Sequence, residues 1–270
     1  MKKIIIHLGP PKTGSTTIQS LLKSHLASNH LDKDVGVSKR IYAYINGNDK
    51  NNIFELKNEI ECLLLKTDFL VFSEERVLME YSVKNDWAEQ LKRLYQIFDI
   101  QDVELKVVIV VRDPTDAIPS LFQQMRSTNW VSSLTLESFI LSHQAKIYNY
   151  KILEGNIIQA GFENIKYLSF ELFQEEELYL NFLGIKEPVK NINAKNKSNT
   201  NEFGRIYSYR ASDIFKRNFR FLSPLFSDKM KIVVARKLNF KLFEEKIRKD
   251  ITLPNEFIVA YEKVLLNIMK

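Results

Sequence analysis

Near the start of the chain an unbroken apolar run, Ile4–Ile5–Ile6, passes through His7 and Leu8 into Gly9–Pro10–Pro11–Lys12–Thr13–Gly14–Ser15–Thr16–Thr17. Beyond it Ile18, Leu21, Leu22, His25 and Leu26 recur at i, i+3, i+4, i+7 and i+8, the spacing of one helix face. A buried strand, a glycine-bracketed turn and a helix in that order make the most restrictive feature of the chain. Such a turn delivers free backbone N–H groups and the positive end of a helix dipole to one point, which favours an anion. Lys12 adds a cation, and Thr13, Ser15, Thr16 and Thr17 add hydroxyl donors.

The rest of the chain repeats the strand–helix alternation. Ile53–Lys66 has helical spacing, Phe69–Phe72 reads as a strand ending at Ser73–Glu74–Glu75, and Trp87–Phe98 reads as a helix. Glu104–Val111 (ELKVVIVV) is continuous Val and Ile without alternation, as in a central parallel strand buried on both faces. Asp113 then Pro114 is a helix start, with Asp as N-cap and Pro at the first helical position. Residues 136–159 read as one helix and Ile165–Phe170 as a strand, with a short helix at Leu178–Phe182 and a polar loop at Lys190–Thr200. Residues 30–50, polar and rich in Asn and Asp, read as loop. From Phe203 onward the chain reads as basic helices. The expected fold is α/β, a central parallel sheet of the P-loop NTPase-like kind flanked by helices, with a helical C-terminal region. A single domain over 1–270 is expected, with a nucleotide-binding core over 1–200 and a helical, basic extension over 201–270.

Composition narrows the setting. The 270 residues carry 45% hydrophobic side chains, enough for a core, and a net charge of +6, which favours anionic ligands without choosing among them. The single cysteine, Cys62, forms no intramolecular disulfide and lies in the apolar run Cys62–Leu65, where a buried thiol in a reducing compartment is expected. The N-terminal apolar stretch is too short for a signal peptide, and no segment has the ~18 apolar residues of a membrane span. A cytoplasmic protein is expected.

The lysine position separates this loop from that of NTP hydrolases. Their form, G-x-x-x-x-G-K-[ST], puts lysine directly after the second glycine. Here Ser15 follows Gly14, and Lys12 sits inside the loop. A magnesium-nucleotide site also needs an acidic residue at a second strand end. The strongest strand instead ends in Arg112, a cation suited to a second phosphate, or alternatively to a structural salt bridge. An ATP–Mg²⁺ kinase of the same fold class is therefore the second enzymatic reading. A nucleic-acid-binding protein is a third, but the chain has no reading motif and that role leaves the loop unexplained. No His, Cys, Asp or Glu grouping has metal-site spacing.

The segment His7–Thr17 resembles the 5′-phosphosulfate loop of sulfotransferases that use 3′-phosphoadenosine 5′-phosphosulfate (PAPS). Arg112–Asp113–Pro114 through Ser120 resembles that family's 3′-phosphate motif, a strand-end arginine with a serine eight residues on. Leu168–Leu172 resembles the later strand whose aromatic, here Phe170, borders the adenine. The resemblance covers residues 3–175 in blocks, and residues 176–270 match only loosely. It implies PAPS as donor and adenosine 3′,5′-bisphosphate (PAP) as product, with no metal. Pro11, Lys12, Thr13, Gly14, Ser15, Thr16 and Thr17 would hold the 5′ side, and Arg112 and Ser120 the 3′-phosphate. Asn196–Lys197–Ser198 sits where the family often closes a cation or serine over the nucleotide, and a plain basic loop is the alternative for Lys197 and Ser198. With a single 5′-phosphate the leaving oxygen sits deeper than in ATP, and the resemblance implies that Lys12 reaches it.

An attacking hydroxyl needs a general base. The small-molecule branch carries a histidine shortly before the 3′-phosphate motif, and this chain has none there. Polysaccharide sulfotransferases often use glutamate, so Glu74 is the first expected base and Glu75 the second, against the alternative of a solvated acidic pair beside Arg76. His7 and His25 read as packed core histidines. The implied acceptor is a saccharide or glycolipid, and nucleic acid is not an expected partner. Arg205–Arg220, alternating Tyr, Phe, Arg and Lys, reads as a solvated basic surface or as a platform for an acidic glycan or a peripheral membrane contact.

Overall fold

The computed structural model describes residues 2–26, 29–31, 36–47, 52–79, 86–127, 135–170, 183, 200–201, 204–210, 241–247 and 252–268. The chain divides into two compact units, Met1–Ala117 with Ser142–Lys195 and Pro254–Lys270, and Ile118–Leu141 with Asn196–Leu253.

The first unit is built on a five-stranded, all-parallel sheet in the order β2-β3-β1-β4-β5. Its strands are β1 (Lys2–Leu8), β2 (His30–Leu31), β3 (Phe69–Ser73), β4 (Val103–Val111) and β5 (Asn164–Ser169). Between them run α1 (Ser15–His25), α2 (Gly36–Ile45), α3 (Ile53–Leu64), α4 (Trp87–Phe98) and the start of α5 (Pro114–Ser127). This is the P-loop NTPase-like α/β arrangement expected from the strand–helix alternation. Ile4, Ile6, Leu8 and Val107 through Val111 are fully buried, so both faces of β1 and β4 are covered. Trp87, Leu91, Leu94 and Phe98 line the inner face of α4, and the Phe98 ring meets Phe72 of β3 at 5.3 Å between centroids. Because every strand runs the same way, the carboxyl ends of β1, β3, β4 and β5 open at one sheet edge. Register pairs His7 with Ser73, Leu8 with Ile109, and Val111 with Ser169.

Four sequence expectations change. Within residues 30–50, read as loop, His30–Leu31 is strand β2 and Gly36–Ile45 is helix α2, which buries Ser38, Ile41 and Ile45 at spacings of three and four. The helix expected over 136–159 is three pieces: α6 (Leu136–Ile140), a 3₁₀ turn at Gln144–Tyr148 and α7 (Tyr150–Ala160). Asn149 restarts the helix by accepting a hydrogen bond from the Ile152 amide at 3.4 Å. Cys62 is exposed, because α3 buries Leu56, Ile60 and Leu64 at four-residue intervals and Cys62 falls on the opposite face. The fourth change lies beyond residue 203.

There the second unit carries β6 (Thr200–Asn201), β7 (Gly204–Arg210) and β8 (Lys241–Ile247), an antiparallel sheet in the order β6-β7-β8. Segments rich in Ile, Tyr and Phe favour strands, and cationic residues among them do not decide the matter. The same unit contains α6 and the later part of α5, where Phe122 lies 5.4 Å from Phe139. In the first unit α8 (Asn255–Ile268) is helical as expected, with Phe257, Ala260, Tyr261 and Val264 buried. The expected helix at Leu178–Phe182 lies outside the described residues.

A thiol reagent should label Cys62 stoichiometrically in the native protein. Cys62→Ser should change unfolding free energy by no more than about 0.5 kcal/mol. Labelling that required denaturant would contradict the exposed placement.

Candidate active site

The loop between β1 and α1 is held open by its own backbone. Lys12 has φ 70 and Gly14 φ 84, both in the left-handed region, which is natural for Gly14 and costly for Lys12. The Thr13 amide and hydroxyl both donate to the Pro10 carbonyl, at 3.3 and 2.7 Å, closing the turn. No side chain caps α1, whose N-cap is Gly14, so its first amides keep their donor capacity. Gly9 is required by close approach. A Cβ there would lie 2.3 Å from Ser15 Oγ and 2.9 Å from Thr13 Oγ1. Pro11, Thr13, Ser15 and Thr17 are buried, Lys12 and Gly14 half-buried and Thr16 exposed.

Beneath the loop lies His7, fully buried, its Nδ1 2.7 Å from Ser73 Oγ across the β1–β3 pair. Burial, aided by the charge of His30, lowers its pKa to about 3. The imidazole is therefore neutral. Among the described residues His7 Nε2 and Ser15 Oγ are buried without a hydrogen-bond partner. Both flank the Gly9 Cα, with the built Cβ position 3.5 Å from His7 Nε2. His7 is thus a packed histidine, as expected. The side chain of His25 lies outside the described residues.

At the end of β4, Arg112 turns back onto the loop. Its Nη1 donates to the Lys12 carbonyl at 2.8 Å, Nη2 lies 3.7 Å from Asp116 Oδ2, and its guanidinium sits 4.6 Å from the Phe170 ring centroid. Phe170 follows β5 directly, and its backbone N–H donates a hydrogen bond to the Val111 carbonyl at 2.8 Å. Lys12, Arg112 and Phe170 are therefore brought to one edge of one sheet. Asp113 caps α5 through Oδ1, which accepts from the Thr115 amide at 2.8 Å. Ser120 is half-buried on α5 and belongs to the second unit. Lys197 and Ser198 lie outside the described residues.

The acidic pair at the end of β3 is split in role. Glu74 is fully buried, and Arg76 occupies its carboxylate: the Arg76 amide and Nε donate to Oε1 at 3.0 and 2.8 Å, and Nη2 donates to Oε2 at 2.5 Å. Arg76 in turn lies 3.9 Å from the Tyr42 ring centroid. Both oxygens of that carboxylate are thus engaged by Arg76. The two carboxylates are therefore not equivalent. Glu75 is half-buried and opens the 3₁₀ turn Glu75–Leu78.

What sequence reasoning missed is a pair of tyrosines. The Tyr148 hydroxyl donates to Pro11 O at 2.5 Å. The Tyr150 hydroxyl accepts from the Arg112 amide at 2.8 Å and donates to the Arg112 carbonyl at 2.6 Å. Burial, with smaller contributions from Tyr150 and Glu75 opposed by Arg112, pushes the Tyr148 pKa far up, so it stays an O–H donor. The signal in the sequence was Tyr–Asn–Tyr, where Asn149 interrupts an otherwise helical pattern.

A parallel sheet whose central strand feeds a glycine-bracketed loop and an uncapped helix, with a cation at the neighbouring strand end, defines a P-loop-type α/β protein, an arrangement whose sheet edge suits a phosphorylated ligand. The family model described as "Sulfotransferase domain" matches residues 2–197, and the chain belongs to the sulfotransferase family. It is accordingly an enzyme of sulfuryl transfer. Among solved structures, a sulfotransferase from Alicyclobacillus acidocaldarius is 13% identical, with 87% of this chain and 96% of that one covered and a TM-score of 0.43. The sulfotransferase domain from the curacin biosynthetic pathway is 13% identical, with 98% of each chain covered and a TM-score of 0.48. Retinol dehydratase in complex with androsterone and inactive cofactor PAP is 11% identical, with 100% of this chain and 82% of that one covered, at a TM-score of 0.31. The family assignment rests on the domain match. No curated protein matches the chain.

His7 sets an acid limit on stability. Its folded pKa, about 3, lies below the unfolded value of 6.5. Between those values the unfolded chain binds a proton that the folded chain excludes. The contribution is whole above pH 6.5 and is lost as pH falls towards 3, at about 1.4 kcal/mol per unit. Urea unfolding at pH 7.5 and 4.5 should therefore show the wild type losing about 2–3 kcal/mol more than His7→Asn. Parallel losses would show that His7 is charged in the fold.

Proposed function

We propose that the chain transfers a sulfuryl group from PAPS to a hydroxyl of a saccharide or glycolipid acceptor and releases PAP. The observation that carries this reading is Arg112. The strand next to the loop ends in a cation whose guanidinium reaches the loop backbone at Lys12 O. A nucleotide with separate 5′ and 3′ phosphates calls for two cationic strand ends, whereas a magnesium nucleotide calls for a carboxylate at the second. In this reading the amides opening α1, with Lys12, Thr13, Ser15, Thr16 and Thr17, hold the phosphosulfate. Arg112 and Ser120 hold the 3′-phosphate, and Phe170 borders the adenine. Lys197 and Ser198 are assigned to closing over the nucleotide.

The acceptor oxygen attacks sulfur as the bond from sulfur to the 5′-phosphate oxygen breaks, and the electron pair stays on that phosphate. Lys12 and the loop amides stabilise this growing charge without a metal. Glu75 takes the acceptor's proton. Its charge adds to the upward shift of Tyr148, whose hydroxyl holds Pro11, which supports a place within electrostatic reach of the loop. Glu74 serves as the anchor of Arg76. A glutamate base with no histidine before the 3′-phosphate motif supports a carbohydrate acceptor. A lone exposed thiol is consistent with a cytoplasmic setting. Among the described residues no helix is long and apolar enough to cross a membrane.

PAP should raise the melting temperature in the presence of a metal chelator, and ATP–Mg²⁺ should do much less. Arg112→Ala should weaken PAP binding by about 10- to 150-fold, the worth of roughly 1.5–3 kcal/mol, with little effect on adenosine 5′-phosphate. Stronger stabilisation by ATP–Mg²⁺ would favour the kinase reading instead.

The two glutamates are expected to behave differently. Glu75→Gln should lower kcat by about 10²–10⁴-fold with PAP binding intact. Glu74→Gln should act first on stability, since it leaves the Arg76 guanidinium without its buried partner. Normal turnover by Glu75→Gln would move the base elsewhere.

A further inference from the structure

The two phosphate-facing loops are joined by a closed set of hydrogen bonds that none of the assigned roles uses. Tyr148 ends the 3₁₀ turn and Tyr150 begins α7, with the extended Asn149 between them. One tyrosine takes the first loop at Pro11 O. The other takes both backbone groups of Arg112 through a single hydroxyl. Arg112 Nη1 closes the circuit at Lys12 O. Both rings are fully buried, and Tyr150 is backed by the Tyr261 ring of α8 at 6.0 Å.

Packing alone does not account for this arrangement. A phenylalanine fills the same space, and a buried hydroxyl is retained against its desolvation cost only where it is bonded. The carbonyls chosen are those of Pro11, next to the lysine, and of Arg112 itself. These are the backbone points that aim the two cationic side chains.

We propose that Tyr148 and Tyr150 are positioning residues that fix the spacing between the 5′ and 3′ phosphate loops and thereby set selectivity for a nucleotide phosphorylated at both ends. This rests on the donor reading given above. Tyr150 pins the exit of β4, so the Arg112 side chain leaves from a fixed origin. Tyr148 pins the loop one residue before Lys12. Without these ties each cation searches more conformations, and contacts that need both phosphates at once lose more than contacts that need one.

The test compares wild type, Tyr148→Phe and Tyr150→Phe by calorimetric titration with PAP and with adenosine 5′-phosphate, together with kcat and KM for PAPS and the melting temperature. Tyr150→Phe should weaken PAP by roughly 5- to 30-fold and leave adenosine 5′-phosphate nearly unchanged, so that selectivity falls. Tyr148→Phe should lower kcat more than it weakens PAP, because it frees the loop that carries Lys12. The double variant should lose less than the product of the single losses, since both act on one circuit through the Arg112–Lys12 bond. Equal weakening of both nucleotides, or a lower melting temperature with unchanged selectivity and kcat, would overturn the proposal and leave the donor reading standing. A wild type that showed no preference for PAP would overturn the donor reading and the proposal with it. If Tyr150→Phe does not fold, the balance of kcat against PAP binding in Tyr148→Phe decides alone.

Discussion

Parallel strand direction is the constraint on which the rest of the site depends. Among the described residues all five strands of the larger sheet run parallel, so they leave at the same edge, and the residues just past β1, β3, β4 and β5 gather there whatever lies between them in sequence. Lys12 and Arg112 are a hundred positions apart, yet the guanidinium of one bonds the carbonyl of the other. The buried Ile and Val of β1 and β4 give the edge its rigidity. A cation placed on such a strand end has few ways to move, and electrostatic preorganisation requires that.

Much of this was legible because the responsible patterns are local. Three isoleucines ahead of Gly9, and five consecutive apolar residues ahead of Arg112, are recognisable without knowing what packs against them. The helix read over Trp87–Phe98 coincides with α4, whose apolar stripe is regular. Where the sequence misled, the deciding influence was not local. The run around Cys62 looks buried when read as a run, but a helix buries by angle, and the cysteine points away from the sheet-facing row. Beyond Phe203, strand-forming Ile, Tyr and Phe share their segments with many cations, and only pairing between Gly204–Arg210 and Lys241–Ile247 shows which tendency prevails.

The site was legible to the same extent. Loop, lysine and strand-end arginine were readable as types at spacings. The difference between Glu74 and Glu75 was not, because two adjacent identical residues carry no sign of which one Arg76 will hold. Nor was the tyrosine pair, because its meaning depends on a break in a helix that periodicity alone draws as continuous. An apolar pattern records which face is buried, and it records nothing about a hydroxyl that bonds a distant carbonyl.

The neutral imidazole under the loop has a consequence for how the enzyme's response to acidity is to be read. A histidine below a nucleotide site would ordinarily be a second titrating charge near neutral pH, and it would mix donor affinity with proton transfer in any activity profile. Burial has taken His7 out of that range altogether. The floor of the loop therefore holds a constant charge from mildly acidic to alkaline conditions. A bend in turnover near neutrality then has its source in the reactants, whose phosphate monoesters titrate there, or in residues other than His7.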